Sequence, residues 1–314
     1  MSHGGDPPPT PDSPTQGPSS RPRVIALINQ KGGVGKTTTA VNVAAALRRS
    51  GRSVLLMDLD PQAHLSLHAG LEPDRIDRTL YDVLTDPQAV ASEAVYRLED
   101  GLGLMPAEVA LAGVESELAE QTRDGKAQTI LRDRCADVAG HFDFVLIDCP
   151  PSLGVLTVNA LAMAGEIVVP MQAHFLALQG LGKLFETVSL IRGGLNPALR
   201  VAGVVLCMHD RQTLLAGEVR ADLERFLGEA RGTDAPWADA VVFEPPIRRN
   251  VKLAEAPSFG QSIFEYDASC HGANDYLALA QAIAAWRPSP DQTQDAPHLA
   301  PTAAAAAPVA DPHA

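Results

Sequence analysis

Apolar residues in this chain gather into short uninterrupted runs, and between those runs they recur at helical spacing. The runs are Val24–Ile28, Val54–Met57, Leu102–Met105, Phe144–Ile147, Ile167–Val169, Val201–Cys207 and Val241–Phe243. They are continuous rather than alternating, which suits strands buried on both faces. Helical periodicity covers Lys36–Leu47, Leu111–Glu120, Thr129–Val138, Leu156–Met163, Gly180–Ile191, Leu214–Leu227 and Asn274–Trp286. This alternation predicts an α/β fold, a doubly wound, mostly parallel sheet with helices on both faces. Ligands of such sheets bind beyond the carboxyl ends of the strands. A glycine-rich loop, the segment Asp58-Leu59-Asp60 and Asp148 all follow directly on predicted strands, so they should converge at that edge.

The pattern stops at both ends. Residues 1–22 and 288–314 are rich in Pro, Gly, Ala, Ser and Asp without a periodic apolar face, so disordered tails are expected around one domain of residues 23–287. A chain of 314 residues, 46% hydrophobic, suffices for one sizeable core, built from Val, Leu, Ile and Ala because aromatics reach only 4%. The four cysteines (Cys135, Cys149, Cys207, Cys270) are scattered without a C-x-x-C pair, which fits free thiols in a reducing compartment. The first residues lack the apolar core of a signal peptide, and no apolar run approaches the ~18 residues of a membrane span. A soluble, cytoplasmic protein is expected. The net charge of −13 disfavours nucleic acid as a partner of the whole surface. Any contact with DNA must come from a local basic cluster.

The strongest chemical signal is Gln30-Lys31-Gly32-Gly33-Val34-Gly35-Lys36-Thr37-Thr38, lying between a predicted strand and a predicted helix. Strand, glycine loop and helix form the setting of a phosphate-binding loop. Glycines let main-chain amides crowd around an anion, and the first helical turn adds unpaired donors and a positive dipole end. Lys36 is placed to reach the β- and γ-phosphates, and Thr37 to hold Mg²⁺. The strict pattern has glycine where this chain has Gln30. Lys31 is a second lysine that one nucleotide site does not need. It is either a solvated loop charge or a group that reaches phosphates bound by another subunit.

Phe144-Val145-Leu146-Ile147-Asp148 is an apolar strand ending in a carboxylate, the pattern that holds a Mg²⁺-bound water in such sites. Cys149 follows, where many related ATPases carry a catalytic glutamate. The group that orients water must therefore come from elsewhere, and Asp60 is the best candidate, although two aspartates one residue apart at a strand end, with Pro61 following, can equally be a turn signal. The equivalent of the guanine-reading N-K-x-D motif is absent from Val205-Leu206-Cys207-Met208-His209-Asp210, which favours ATP over GTP.

Lys31-Gly32-Gly33-Val34-Gly35-Lys36-Thr37-Thr38 resembles the deviant phosphate loop of the ParA/MinD ATPases. Asn29-Gln30, Asp58-Leu59-Asp60-Pro61-Gln62, Leu146-Ile147-Asp148-Cys149-Pro150-Pro151-Ser152 and Val251–Ser258 resemble the ParA/Soj chromosome-partitioning branch, and the likeness spans roughly Arg23 to Trp286. The resemblance implies an ATP- and Mg²⁺-dependent sandwich homodimer in which Lys31 crosses to the partner's nucleotide. Residues Lys31 to Thr38 would cradle the nucleotide, and Thr37 and Asp148 (via water) would serve the metal. Asp60 would position the attacking water, with Asp58 either near the metal shell or structural. Slow turnover, raised by a partner, is expected.

Ile247-Arg248-Arg249-Asn250-Val251-Lys252-Leu253-Ala254-Glu255-Ala256-Pro257-Ser258 resembles the family segment Pro-Arg-Asn-Val-Arg-Leu-Ser-Glu-Ala-Pro-Ser. The resemblance implies Arg211, Arg248, Arg249 and Lys252, with Arg220 as a further candidate, as contacts to non-specific double-stranded DNA of the nucleoid. It also implies a ParB-like centromere-binding partner whose basic segment stimulates hydrolysis. Ala268-Ser269-Cys270-His271 stands where relatives often have Pro-Arg-Ser-Arg, so two positive charges are missing. A ParA-like ATPase that positions another cargo would share every nucleotide residue. A MinD-like membrane cycle is opposed by the C-terminal segment, which lacks a basic amphipathic helix. An iron–sulfur reductase of the nitrogenase type is opposed by the scattered cysteines.

Overall fold

The computed structural model describes residues 21–72, 76–121, 126–174, 177–210 and 213–289. Eight strands run in chain order as β1 (Arg23–Leu27), β2 (Val54–Asp58), β3 (Tyr96–Glu99), β4 (Leu102–Met105), β5 (Phe144–Asp148), β6 (Glu166–Met171), β7 (Arg200–Leu206) and β8 (Val241–Val242). They form one sheet in the order β3-β4-β2-β5-β1-β6-β7-β8, parallel throughout except for β3 against β4.

Each buried strand feeds two cores, because successive side chains leave opposite faces. In β1, Val24 and Ala26 join one cluster while Ile25 and Leu27 join the other. In β5, Val145 and Ile147 part from Phe144 and Leu146 in the same way. The second core is closed by α1 (Lys36–Arg49) and α11 (His271–Ala285). The first is closed by α4 (Val114–Gln121), α5 (Ile130–Ala139), α6 (Val155–Met163), α7 (Ala177–Gly194) and α8 (Leu214–Glu229). Continuous apolar runs are thus what a three-layer sandwich requires.

The expected strands and long helices all form, several extended by one to three residues. Residues Val109–Gly113 form a 3-10 turn ahead of α4, where one continuous helix from Leu111 was expected. Strand β3 was not expected. It alternates (Tyr96 buried, Arg97 exposed) and is joined to β4 through Asp100-Gly101, with Gly101 at φ +77°. An Asp-Gly pair between short apolar segments is a hairpin signal. Four short helices were also unexpected: α2 (His64–His68), α3 (Leu80–Thr85), α9 (Val251–Glu255) and α10 (Ile263–Asp267). Each spans little more than one turn, too short to show a period. Capping boxes, Thr79 with Asp82 and Ser262 with Glu265, start α3 and α10.

The two expected tails lie almost wholly outside the described residues, as does Arg211. Among the described residues, no helix is long and apolar enough to cross a membrane. All four cysteines are free, and three are buried.

Candidate nucleotide and metal site

The loop after β1 is held open from both sides. Asn29 donates through Nδ2 to the Pro170 carbonyl (2.9 Å), and its Oδ1 accepts the Lys31 amide (3.0 Å). Val34 is buried as an anchor, while Lys31, Gly32 and Gly33 are exposed. Gly33 and Gly35 sit at φ +72° and +96°, the left-handed region that glycine enters without strain. Nothing lies within 4 Å of a Cβ built at Gly32 or Gly33. Gly35 then starts α1 with no side-chain cap, so the first-turn amides are left for an anion.

Lys36 and Thr37 open the helix. Lys36 is 7% exposed. The Thr37 hydroxyl donates to Asp148 Oδ2 at 2.6 Å. Asn42, one turn further on, donates to the Thr38 carbonyl and accepts the Ile263 amide, which ties α1 to α10. Thr39 lies within hydrogen-bond reach of Tyr276 on α11.

Asp58 and Asp148 are register partners at the ends of β2 and β5. Burial raises Asp148 to about 8, with Asp58 adding to the rise and Thr37 and Lys36 opposing it. Burial raises Asp58 to about 6, against the pull of its Ser66 hydrogen bonds. Asp58 is engaged through both oxygens: Oδ2 accepts the Ser66 amide (2.9 Å) and hydroxyl (2.8 Å), and Oδ1 accepts the Asp60 amide (3.2 Å). It therefore holds α2 and the Asp60 loop, which is a structural use. Asp148 differs, because its buried Oδ1 has no hydrogen-bond partner among the described residues. Asp60 is half-buried and accepts the Gln62 amide through Oδ1.

An unpartnered carboxylate oxygen beside a buried lysine and a threonine hydroxyl fits a divalent cation next to a nucleotide phosphate. The glycine loop supplies the open space for that phosphate. The nucleotide residues expected from sequence, Lys31 to Thr38 with Asp148, are thus brought to one edge of the sheet.

The family model described as an AAA domain matches residues 22–201. The chain is 43% identical over 263 residues to the chromosome partitioning protein ParA of Caulobacter vibrioides, covering 83% of this chain and 93% of that one. It is 44% identical to the chromosome-partitioning ATPase Soj of Thermus thermophilus, covering 84% and 96%. The chain belongs to the ParA/Soj family. Its fold matches a crystal structure of cobyrinic acid a,c-diamide synthase from Mycobacterium smegmatis with bound ADP and magnesium, at TM-score 0.68 and 35% identity, over 84% of this chain and 94% of that one. The doubly wound sheet is thus that of the phosphate-loop ATPases.

In this ParA/Soj chain the expected cations do not form one uniform patch. Arg249 is exposed, and Lys252 is half-exposed over the Tyr266 ring (5.4 Å), 3.7 Å from Glu255. Arg220 is paired with Glu224 (2.9 Å) and Glu244 (2.5 Å). Arg248 gives its guanidinium to Asp275.

Three contributors were given no role in the site from sequence, although Asn29 was noted as part of the family likeness. Ser66 completes Asp58, and its hydroxyl also accepts the Ala107 amide. Asn29 positions the Lys31 backbone. His174, after β6, lies near enough to Lys31 that the lysine helps burial depress the imidazole's proton affinity. Only Asn29, adjacent to the loop, carried a sequence signal.

Proposed function

We propose that this ParA/Soj chain is a Mg²⁺-dependent ATPase acting in DNA segregation as a dimer closed around ATP. The unpartnered Oδ1 of Asp148 beside Lys36 and Thr37 carries the nucleotide and metal part of this reading. Lys36 would neutralise phosphate charge, and Thr37 and Asp148 would hold the metal. Bound ATP and Mg²⁺ supply the phosphoanhydride and its charge neutralisation. Asp60 orients the attacking water. Cys149, buried behind Asp148 with its thiol pushed far up by burial, offers no base there, so turnover is slow until a ParB-like partner stimulates it. Lys31, exposed on the loop, reaches the nucleotide of the second subunit.

The dimer binds nucleoid DNA without sequence preference through Arg249 and Lys252, with Arg211 and Arg220 as further candidates. Hydrolysis releases it. An electrophoretic shift of non-specific duplex with ATP, ADP or no nucleotide, across a salt series, tests this function. Binding is expected with ATP alone and should weaken steeply with salt. Equal retardation with ADP would overturn the reading.

A further inference from the structure

The basic segment on this chain contains adjacent arginines with opposite surroundings. Arg249 is exposed, and its side chain meets no hydrogen-bond or ion-pair partner among the described residues. Arg248 donates through Nε to Asp275 Oδ2 (3.0 Å) and through one terminal nitrogen to Asp275 Oδ1 (2.7 Å). Its backbone amide also donates to Asp275 Oδ2 (3.1 Å). The Asp275 side chain is 4% exposed, on the first turns of α11. The carboxylate thus meets a planar fork and a main-chain donor, the geometry in which arginine cannot be replaced by lysine.

The segment beyond Arg248 is built onto the same helix. His271 Nε2 lies 3.3 Å from the Arg249 carbonyl, to which it donates. A Cβ at Gly272 would come within 2.8 Å of Asn250 Nδ2 and 3.1 Å of Leu253. Asn250 then caps α9 by accepting the Lys252 amide (3.0 Å). Helix α9 spans five residues and buries no side chain. A helix so short does not hold its own position in water.

We infer that Arg248 is a positioning residue rather than a phosphate contact: its pairing with Asp275 clamps the start of α9 to α11 and so presents Arg249 and Lys252. A phosphate that took over this fork would leave the buried Asp275 carboxylate without its cation, a costly exchange, so what Arg248 can still offer a phosphate is its second terminal nitrogen, on a guanidinium whose charge Asp275 already balances. Asp275 also holds the guanidinium's proton more tightly than usual through that hydrogen bond. The inference deepens the DNA-binding reading and rests on it for the phosphate contacts, but the clamp itself stands on geometry alone.

Two measurements on the full chain test it. First, hydrogen exchange of the amides of residues 249–255 is compared in wild type, Arg248→Ala, Arg248→Lys and the double variant Arg248→Met/Asp275→Asn, which keeps an acceptor for the backbone amide of residue 248. The clamp predicts faster exchange in Arg248→Ala, incomplete rescue by lysine, and recovery in the double variant, whose buried site carries no charge. Unchanged exchange in Arg248→Ala would overturn it. Second, affinity for duplex DNA is measured against log salt with a non-hydrolysable ATP analogue. Arg249→Ala should lower the slope by about one for each subunit in contact with the DNA, and the double variant should keep the wild-type slope. A slope lowered as much in the double variant would make Arg248 a phosphate contact and overturn the inference. Wild-type protein that binds no DNA would fault the function proposed above, and the exchange result would still decide the clamp.

Discussion

The Thr37 hydroxyl donates to one oxygen of Asp148 at 2.6 Å, while the other oxygen, buried, receives no donor from the described residues. Two strand-end carboxylates, Asp58 and Asp148, face each other across β2 and β5, and of the two only Asp148 keeps an oxygen that receives no donor from the described residues. A buried carboxyl group in this state is tolerated for what it binds rather than for what it stabilises. Asp148→Asn keeps the size and still accepts from Thr37. It should raise the stability of the nucleotide-free protein by about 1–2 kcal/mol. It should also abolish the additional thermal shift that Mg²⁺ produces with ATP. A melting series with ATP, with and without Mg²⁺ or EDTA, checks both. A retained Mg²⁺ shift would remove Asp148 from the metal site.

Lys31 projects from the loop with its amide bound to Asn29 and its side chain in no hydrogen bond or ion pair among the described residues. Lys31→Ala should therefore melt at the wild-type temperature and bind ATP as a single chain. Light scattering in Mg-ATP should report a monomer where wild type reports a dimer. A dimer of normal strength would return Lys31 to the status of a solvated charge.

Asp60 contributes one hydrogen bond to a turn, to the Gln62 amide, and is half-buried. Its replacement by alanine should cost little stability. Turnover should fall by about a hundredfold or more if Asp60 positions water, with ATP binding preserved. Phosphate release alongside fluorescent-nucleotide titration separates the two effects. Loss of binding together with turnover would point to a structural role instead.

Gly70, after α2, and Gly260, after the 3-10 turn Ala256–Phe259, meet backbone to backbone. A Cβ at Gly260 would lie 2.7 Å from Gly70 Cα, and Gly260 is itself at φ +62°. Both sterics and backbone strain oppose a side chain there. Gly260→Ala should lower the melting midpoint by about 5 °C. Because α2 carries Ser66, which holds Asp58, the loss should spread to the Asp60 loop. Limited proteolysis of residues 60–72 would reveal it; a variant as stable as wild type would show that the contact yields freely.

His68 closes α2 with its ring buried and Nε2 unpartnered. Burial lowers its pKa from 6.5 to about 4, against the Gln261 backbone and the Glu265 charge, which favour the proton. The folded state therefore resists a proton that the unfolded chain accepts. Its contribution is constant above pH 6.5, and stability declines as pH falls from 6.5 towards 4, by about 3 kcal/mol in full. Urea midpoints at several pH values should drop across that window, and His68→Gln should flatten the drop. Parallel profiles for the two proteins would assign the acid sensitivity to other groups.

The phosphate loop, the strand-end aspartates and the long elements were legible in the sequence, because each is local. Glycine spacing sets a backbone, and a continuous apolar run forces burial on both faces. Even the division into two cores follows from alternation within β1 and β5 once the runs are known to be strands. The short helices α2 and α9 were not legible, since they are too brief to show a period and are held by neighbours distant in sequence, and β3 left only the Asp100-Gly101 hairpin signal.

What the tertiary structure alone decided is which charges are free. Asp58 and Asp148 look alike as strand-end carboxylates, as Arg248 and Arg249 do within one basic run. Ser66 engages Asp58, and Asp275, 27 residues beyond Arg248, takes its guanidinium. A side chain's availability depends on partners brought beside it by folding, and no spacing along the chain encodes that.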